Sequence, residues 1–168
     1  MAPFQKSVTP SWGSLATTDS TTESRLRTGG PGYLARCGRG RDAVVMPLAR
    51  GLAVLDALEL PVQDGYSVIA DRLRQELIVV VDDGWVHLWD DAPGVRVLSG
   101  ESWLLVPAPG SDGTWAASWL SQPPRPAAQR RAGDDESGGP SLGRVGVGID
   151  VRALREAFTV ADRTAVAS

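Results

Sequence analysis

The strongest pattern along the chain is a run of five apolar residues at 77–81, most of them β-branched, which predicts a buried strand. Asp83-Gly84 follows and suits the two-residue turn of a β-hairpin, because a type I′ turn needs positive φ at both central positions. The returning strand would then be 85–89. Both faces of this hairpin are apolar, so we expect the sheet to be covered on both sides.

Shorter apolar stretches, each bounded by turn-forming residues, predict the rest of the sheet. The two stretches on either side of Ser99-Gly100-Glu101 are expected to form a second hairpin. The predicted strands are 43–46, 67–70, 95–98, 102–106 and 114–120.

Two segments have the spacing of an amphipathic helix. Leucines recur at helical intervals over 48–58, and Pro61 ends that pattern. Asp150 is a suitable N-cap for a terminal helix that has Val151, Leu154 and Phe158 on one face. The predicted fold is therefore α+β, with a mainly antiparallel sheet of five or six strands and one or two packed helices.

Charge divides the chain into four parts. Residues 1–41 have six basic and two acidic side chains and are rich in Ser, Thr and Gly, so we predict a disordered basic tail. Residues 42–121 have four basic and twelve acidic side chains and are the predicted core domain. Residues 122–148 are predicted to be a disordered Pro/Gly/Arg linker, and 149–168 a short C-terminal helix.

Composition excludes several classes of protein. With one Cys and one His in the whole chain, a disulfide framework and a structural zinc site are ruled out. No apolar run approaches the roughly 18 residues of a membrane span, and the first residues lack the apolar region of a signal peptide. We therefore expect a cytoplasmic protein without a membrane partner.

Paired carboxylates around the predicted hairpin are the candidates for catalysis. Asp82, Asp83 and Asp90 could bind Mg²⁺ for nucleotidyl transfer, with His87 as a base beside them. Turn formation is the competing interpretation, because Asp-Gly is itself a turn signal and adjacent residues of a strand point to opposite faces. We therefore assign no catalytic residue and no metal ligand from the sequence.

Arginines just before the core are the candidates for contact with nucleic acid. Arg39 and Arg41 alternate with Gly38 and Gly40, and Arg36 lies nearby, as in segments that enter the minor groove of DNA. A solvated basic stretch is the alternative. Any DNA contact here would be weak and salt-dependent, because few phosphate charges would be neutralised.

Four parts of the core, namely 42–47, the helix containing Gly51, the predicted hairpin and 94–110, carry a resemblance to a known family. They resemble small actinobacterial proteins related to the N-terminal domain of bifunctional DNA primase/polymerases. The similarity covers about half of the chain, 42–120, and implies a related scaffold. Full members carry an Asp-x-Asp pair and a later His that act with metal ions. This chain contains no Asp-x-Asp, so the resemblance assigns no catalytic residue here.

The leading hypothesis is a non-catalytic binding or regulatory protein on a degenerate primase/polymerase-like scaffold, with a protein among its possible partners and no cofactor. One alternative is a metal-dependent nucleotidyl transferase, which would require Mg²⁺. The other is a DNA-associated accessory protein that acts through its basic tail. The acidic core disfavours direct contact with a template, because it would repel phosphates in the absence of bound cations.

Overall fold

A computed structural model describes residues 10–123 and 148–166 of the chain. Within these ranges the fold is α+β, as predicted, with helices and two antiparallel sheets. The helices are α1 (Ser20–Thr28), α2 (Leu48–Ala57) and α3 (Val151–Val166), with 3-10 helices at Trp12–Ala16 and Val86–Trp89. The strands are β1 (Gly32–Arg36), β2 (Arg41–Pro47), β3 (Val68–Asp71), β4 (Glu76–Asp82), β5 (Arg96–Leu98), β6 (Trp103–Pro107) and β7 (Ser118–Ser121). None of the helices in the described part of the chain is long and apolar enough to cross a membrane.

The larger sheet has the order β5-β2-β4-β3-β7, and β1 pairs with β6 in a separate two-stranded sheet. The predicted alternation of β4 is confirmed. Leu77, Val79 and Val81 lie in the core beneath α2 and α3, whereas Ile78 and Val80 lie in a second core beneath β1 and β6. The sheet is thus covered on both faces, as its apolar pattern predicted.

The two predicted helices of the core are also confirmed. Asp150 caps α3, because its Oδ1 accepts hydrogen bonds from the amides of Arg152 at 3.0 Å and Ala153 at 2.9 Å. In α2, Gly51 permits a close approach to the sheet, since a Cβ at this position would lie 2.4 Å from the Leu77 side chain. The helix therefore packs directly on the middle of the sheet.

The predicted hairpin between 77–81 and 85–89 is wrong. Gly84 does turn the chain with φ of +89°, but the segment after it forms a 3-10 helix. Both edges of β4 are already paired, one with β2 and the other with β3, so no edge is left for a returning strand. Trp89 is instead buried against Phe158, with the two rings edge to face at 5.8 Å.

The second predicted hairpin is also wrong, although its turn is present. The amide of Ser102 donates to the carbonyl of Ser99 at 3.1 Å, but β5 pairs with β2 and β6 pairs with β1. The chain therefore bends from one sheet into the other at this turn, and it bends likewise between β1 and β2. The two bends touch at Gly38, where φ is +82° and a Cβ would lie 2.3 Å from the amide nitrogen of Gly100.

The prediction of a disordered tail over 1–41 is wrong for residues 10–41, which form a 3-10 helix, α1 and β1. Trp12 is fully buried, and its indole Nε1 donates to the carbonyl of Leu60 at 2.8 Å. Asp56 accepts hydrogen bonds from the amides of Trp12 and Gly13, at 2.6 and 2.8 Å. The folded core thus begins by residue 10. Residues 1–9 and 124–147, the latter being most of the predicted linker, lie outside the described residues.

Candidate functional site

The carboxylates at the end of β4 accept hydrogen bonds from the neighbouring bend of the chain between β1 and β2. Asp82 accepts from Arg41 Nη1 at 2.5 Å, and Asp83 Oδ2 accepts from the amide of Gly40 at 2.9 Å. Both aspartates are exposed. Their contacts hold the connection between β1 and β2, which is a structural use of the Asp-Asp pair.

His87 lies in the 3-10 helix that follows, and Asp90 comes directly after the end of that helix. Both are exposed, and the His87 ring lies 6.0 Å from the ring of Trp85. Over residues 10–123 and 148–166, no group of three or more His, Cys, Asp or Glu side chains is arranged to hold a metal ion. The donor set proposed for Mg²⁺ from the sequence is therefore not assembled among Asp82, Asp83, Asp90 and His87.

Asp42 is a further carboxylate in this region, and nothing in the local sequence marked it as a functional residue. Its side chain is buried, Oδ2 accepts from the amide of Gly84 at 3.3 Å, and Oδ1 has no hydrogen bond to a described residue. Burial raises the pKa of Asp42, and the charge of Asp83 adds to this effect. Burial, with a contribution from Asp42, also raises the pKa of the Cys37 thiol to about 11, so Cys37 is protonated at neutral pH and is a poor nucleophile.

The arginines proposed for DNA contact lie at the same bend. Arg36 forms an ion pair with Glu101, and Arg41 forms one with Asp82. Arg39 is exposed. Two of the three charges are therefore matched by carboxylates of the same protein, which lowers the net positive charge offered to a phosphate backbone.

A cleft of about 550 Å³ lies between the N-terminal segment and β7. Its lining comes from three separate parts of the chain, so it exists only because the N-terminal segment is folded against the sheet. The polar lining residues are Ser14, Thr17, Thr18, Asp19, Thr22, Arg25, Arg72, Asp112 and Ser118, and the apolar ones are Leu15, Leu26, Trp119 and Leu120.

The N-terminal wall of the cleft is fixed by its own capping contacts. Asp19 caps α1 by accepting from the amide of Thr22 at 2.7 Å, and Leu26 anchors the helix because its side chain is buried. The hydrogen bond from Thr22 lowers the pKa of Asp19, so this carboxylate is charged at neutral pH. Arg25, one turn further along α1, lies 3.6 Å from Asp112 in a solvent-exposed ion pair.

Arg72 is the basic group in the opposite wall. Its backbone amide donates to the carbonyl of Trp115 at 2.8 Å, and both Nη nitrogens lie 3.4 Å from the carbonyl oxygen of Leu15. Its Nε is buried and has no hydrogen bond to any residue that the structure describes, and the same holds for the indole Nε1 of Trp119. Burial lowers the pKa of Arg72, which means that its charge is poorly solvated.

Nothing in the local sequence marked Arg72, because a single arginine in a β-turn is ordinary. The one signal for the cleft was Trp12, an isolated aromatic residue in a polar segment, and its burial depends on contacts with residues more than forty positions away. Comparisons with protein-family models, curated proteins and solved structures find no match to this chain.

Proposed function

We propose that this is a non-catalytic binding or regulatory protein of the cytoplasm, and that its binding site is the cleft between the N-terminal segment and β7. The observation that carries the proposal is the composition of the cleft. Hydroxyl, carboxylate and guanidinium groups converge there beside apolar side chains, in a volume suited to a small molecule. A relationship to primase/polymerase scaffolds is part of the proposal and rests on the sequence resemblance alone.

The contacts of the acidic residues favour binding over nucleotidyl transfer. Two-metal catalysis requires carboxylates that converge on ions about 3.5–4 Å apart. Asp82 and Asp83 are instead engaged by Arg41 and by the Gly40 amide. The third possibility, DNA attachment through Arg36, Arg39 and Arg41, is weakened by the ion pairs of Arg36 and Arg41.

The cleft can be tested with a library of neutral, fragment-sized compounds and ¹⁵N-labelled protein observed by NMR. We expect the largest shift changes at the amides of Ser14 and Thr22 and at the Trp119 indole N–H. Thr17→Trp would fill the cleft from an exposed position and should abolish these changes. Thr21→Trp is the matched control, because Thr21 is also exposed but does not line the cleft. Shift changes scattered over the surface, or unaltered by Thr17→Trp, would refute the proposed site.

A primer-extension assay with Mg²⁺ or Mn²⁺ tests the absence of catalysis. We expect no extension of a primed template by the purified chain. Extension that disappears in Asp82→Asn would establish the nucleotidyl transferase instead.

A further inference from the structure

Arg72 differs from the other arginines of the described ranges. Eight of them lie in ion pairs with carboxylates, and three of the remaining four, Arg39, Arg152 and Arg163, are exposed. Arg72 alone is partly buried and has no carboxylate partner in the described part of the chain.

The hydrogen bonds of Arg72 are also incomplete. A guanidinium group has five N–H donors, and it forms short hydrogen bonds of about 2.7–2.9 Å with anionic oxygens. Here both Nη nitrogens share one neutral carbonyl oxygen, that of Leu15, at 3.4 Å, and Nε has no acceptor within residues 10–123 and 148–166. A partly desolvated charge in this state is unfavourable unless an anion compensates it.

We infer that the cleft receives the oxyanion of a small molecule, a carboxylate or a phosphate group, at Arg72; this inference rests on the proposed binding function of the cleft. Ser14, Thr17 and Thr18 line the same cleft; the Ser14 hydroxyl already donates to the carbonyl of Ser11 at 2.6 Å, and the side chains of Thr17 and Thr18 provide further donors and acceptors. The apolar surface of Trp119 and Leu120 is available to the uncharged part of the ligand.

The other charges of the cleft limit the ligand to one oxyanion. Asp19 and Asp112 also line it and balance Arg25 and Arg72 in number. Asp112 is already paired with Arg25, so Arg72 is the one cation of the cleft that has no carboxylate partner among the described residues. A triphosphate or a nucleic-acid backbone would bring further negative charges close to Asp19, and this repulsion disfavours both. The ligand expected carries one carboxylate or one phosphate group on a neutral, hydroxyl-bearing body.

The test is a titration of the full chain with acetate, inorganic phosphate, ribose 5-phosphate, ribose and ATP at constant ionic strength. The readouts are the NMR signals of the Arg72 Nε–H and the Trp119 indole N–H. We expect saturable shifts with acetate and phosphate. Ribose 5-phosphate should bind more tightly than either phosphate or ribose alone, and ATP should bind no more tightly than ribose 5-phosphate.

Arg72→Gln should weaken the binding of ribose 5-phosphate roughly tenfold to a hundredfold, which corresponds to the loss of charge-assisted hydrogen bonds. Arg74→Gln is the matched control, because it removes the same charge from the same turn at a side chain that is 74% exposed. It should leave the affinity unchanged.

Three results would overturn the inference. The first is an affinity for oxyanions that does not depend on Arg72, and the second is no saturable binding of any of them. The third is tightest binding by ATP, which would indicate a polyanion site. If neutral fragments still bind in the cleft while oxyanions do not, the inference fails and the proposed function stands. If neither binds there, the proposed function fails as well.

Discussion

The acidic turn after β4 and the cleft beside β7 are both rich in charged groups, but they satisfy these groups differently. At the turn, Asp82 is matched by Arg41, and Asp83 accepts a backbone hydrogen bond. In the cleft, Arg72 is partly buried and has no carboxylate partner in the part of the chain that the structure describes. The comparison shows that Asp82 and Asp83 stabilise a bend of the chain, although carboxylates are concentrated there in the sequence. Arg72, without a carboxylate partner among the described residues, marks the better candidate for a binding site.

The largest effect is expected from a charge introduced into the buried core, where neither an ion-pair partner nor solvent compensates it. Val79 is fully buried at the centre of β4, so Val79→Asp should cost several kcal/mol and prevent cooperative folding. Thermal unfolding followed by circular dichroism is the measurement. Leu73→Asp places the same charge at a side chain that is 71% exposed and should change the melting temperature little. An unaltered melting temperature in Val79→Asp would contradict the burial of this strand face.

The next largest effect should be confined to the cleft and leave the acidic turn unchanged. Trp12→Ala removes the buried anchor of the N-terminal segment and should lower the free energy of unfolding by about 3–5 kcal/mol. Trp103→Ala makes the same change at a residue that is 54% exposed and should cost much less. In the NMR spectrum of Trp12→Ala, the cleft amides of Ser14 and Thr22 should shift strongly, and those of the acidic turn should not. Equal losses of stability in both tryptophan variants would argue against the anchoring role.

The smallest effect concerns Asp42, a buried carboxylate of β2 that accepts a hydrogen bond from the amide of Gly84 in the acidic turn. Burial raises the pKa of Asp42 above its ordinary value of 3.8, so the folded state holds this proton more tightly than the unfolded state does. Stability should therefore fall as the pH rises from the ordinary aspartate range through the raised pKa. Asp42→Asn should remove this fall and stabilise the protein at neutral pH, as measured by urea midpoints across the pH range.

Asp91 provides a control of opposite sign. The hydrogen bond and the charge of Arg155 lower the pKa of Asp91, so its contribution is present above the ordinary range and is lost as the pH falls. Asp91→Asn should thus slightly destabilise the protein at neutral pH, because the pair is exposed to solvent. If Asp42→Asn and Asp91→Asn changed the stability at neutral pH in the same direction, burial would not distinguish these two carboxylates.

The amino-acid sequence was sufficient to predict elements whose pattern is local. The alternation in β4 assigns Val79 and Ile78 to opposite cores, because successive side chains of a strand point to opposite faces. Helix α3 was recognisable from the Asp150 cap and from the spacing of Leu154 and Phe158, since both signals lie within the helix itself.

Strand pairing and the cleft depended on residues far apart in the chain. Asp83-Gly84 does turn the chain, yet no hairpin forms, because β2 and β3 already occupy both edges of β4. The polar composition of the N-terminal segment predicted disorder, and burial of Trp12 beside Asp56 and Leu60 overcomes that tendency. Arg72 differs from the other arginines only in the folded structure, because it lies in the wall of the cleft and has no carboxylate partner among the described residues. A local pattern specifies which side chains of a strand or helix face the core. Which strand pairs with a given edge, and which group pairs with a given charge, is decided by the distant residues that the folded chain brings into contact.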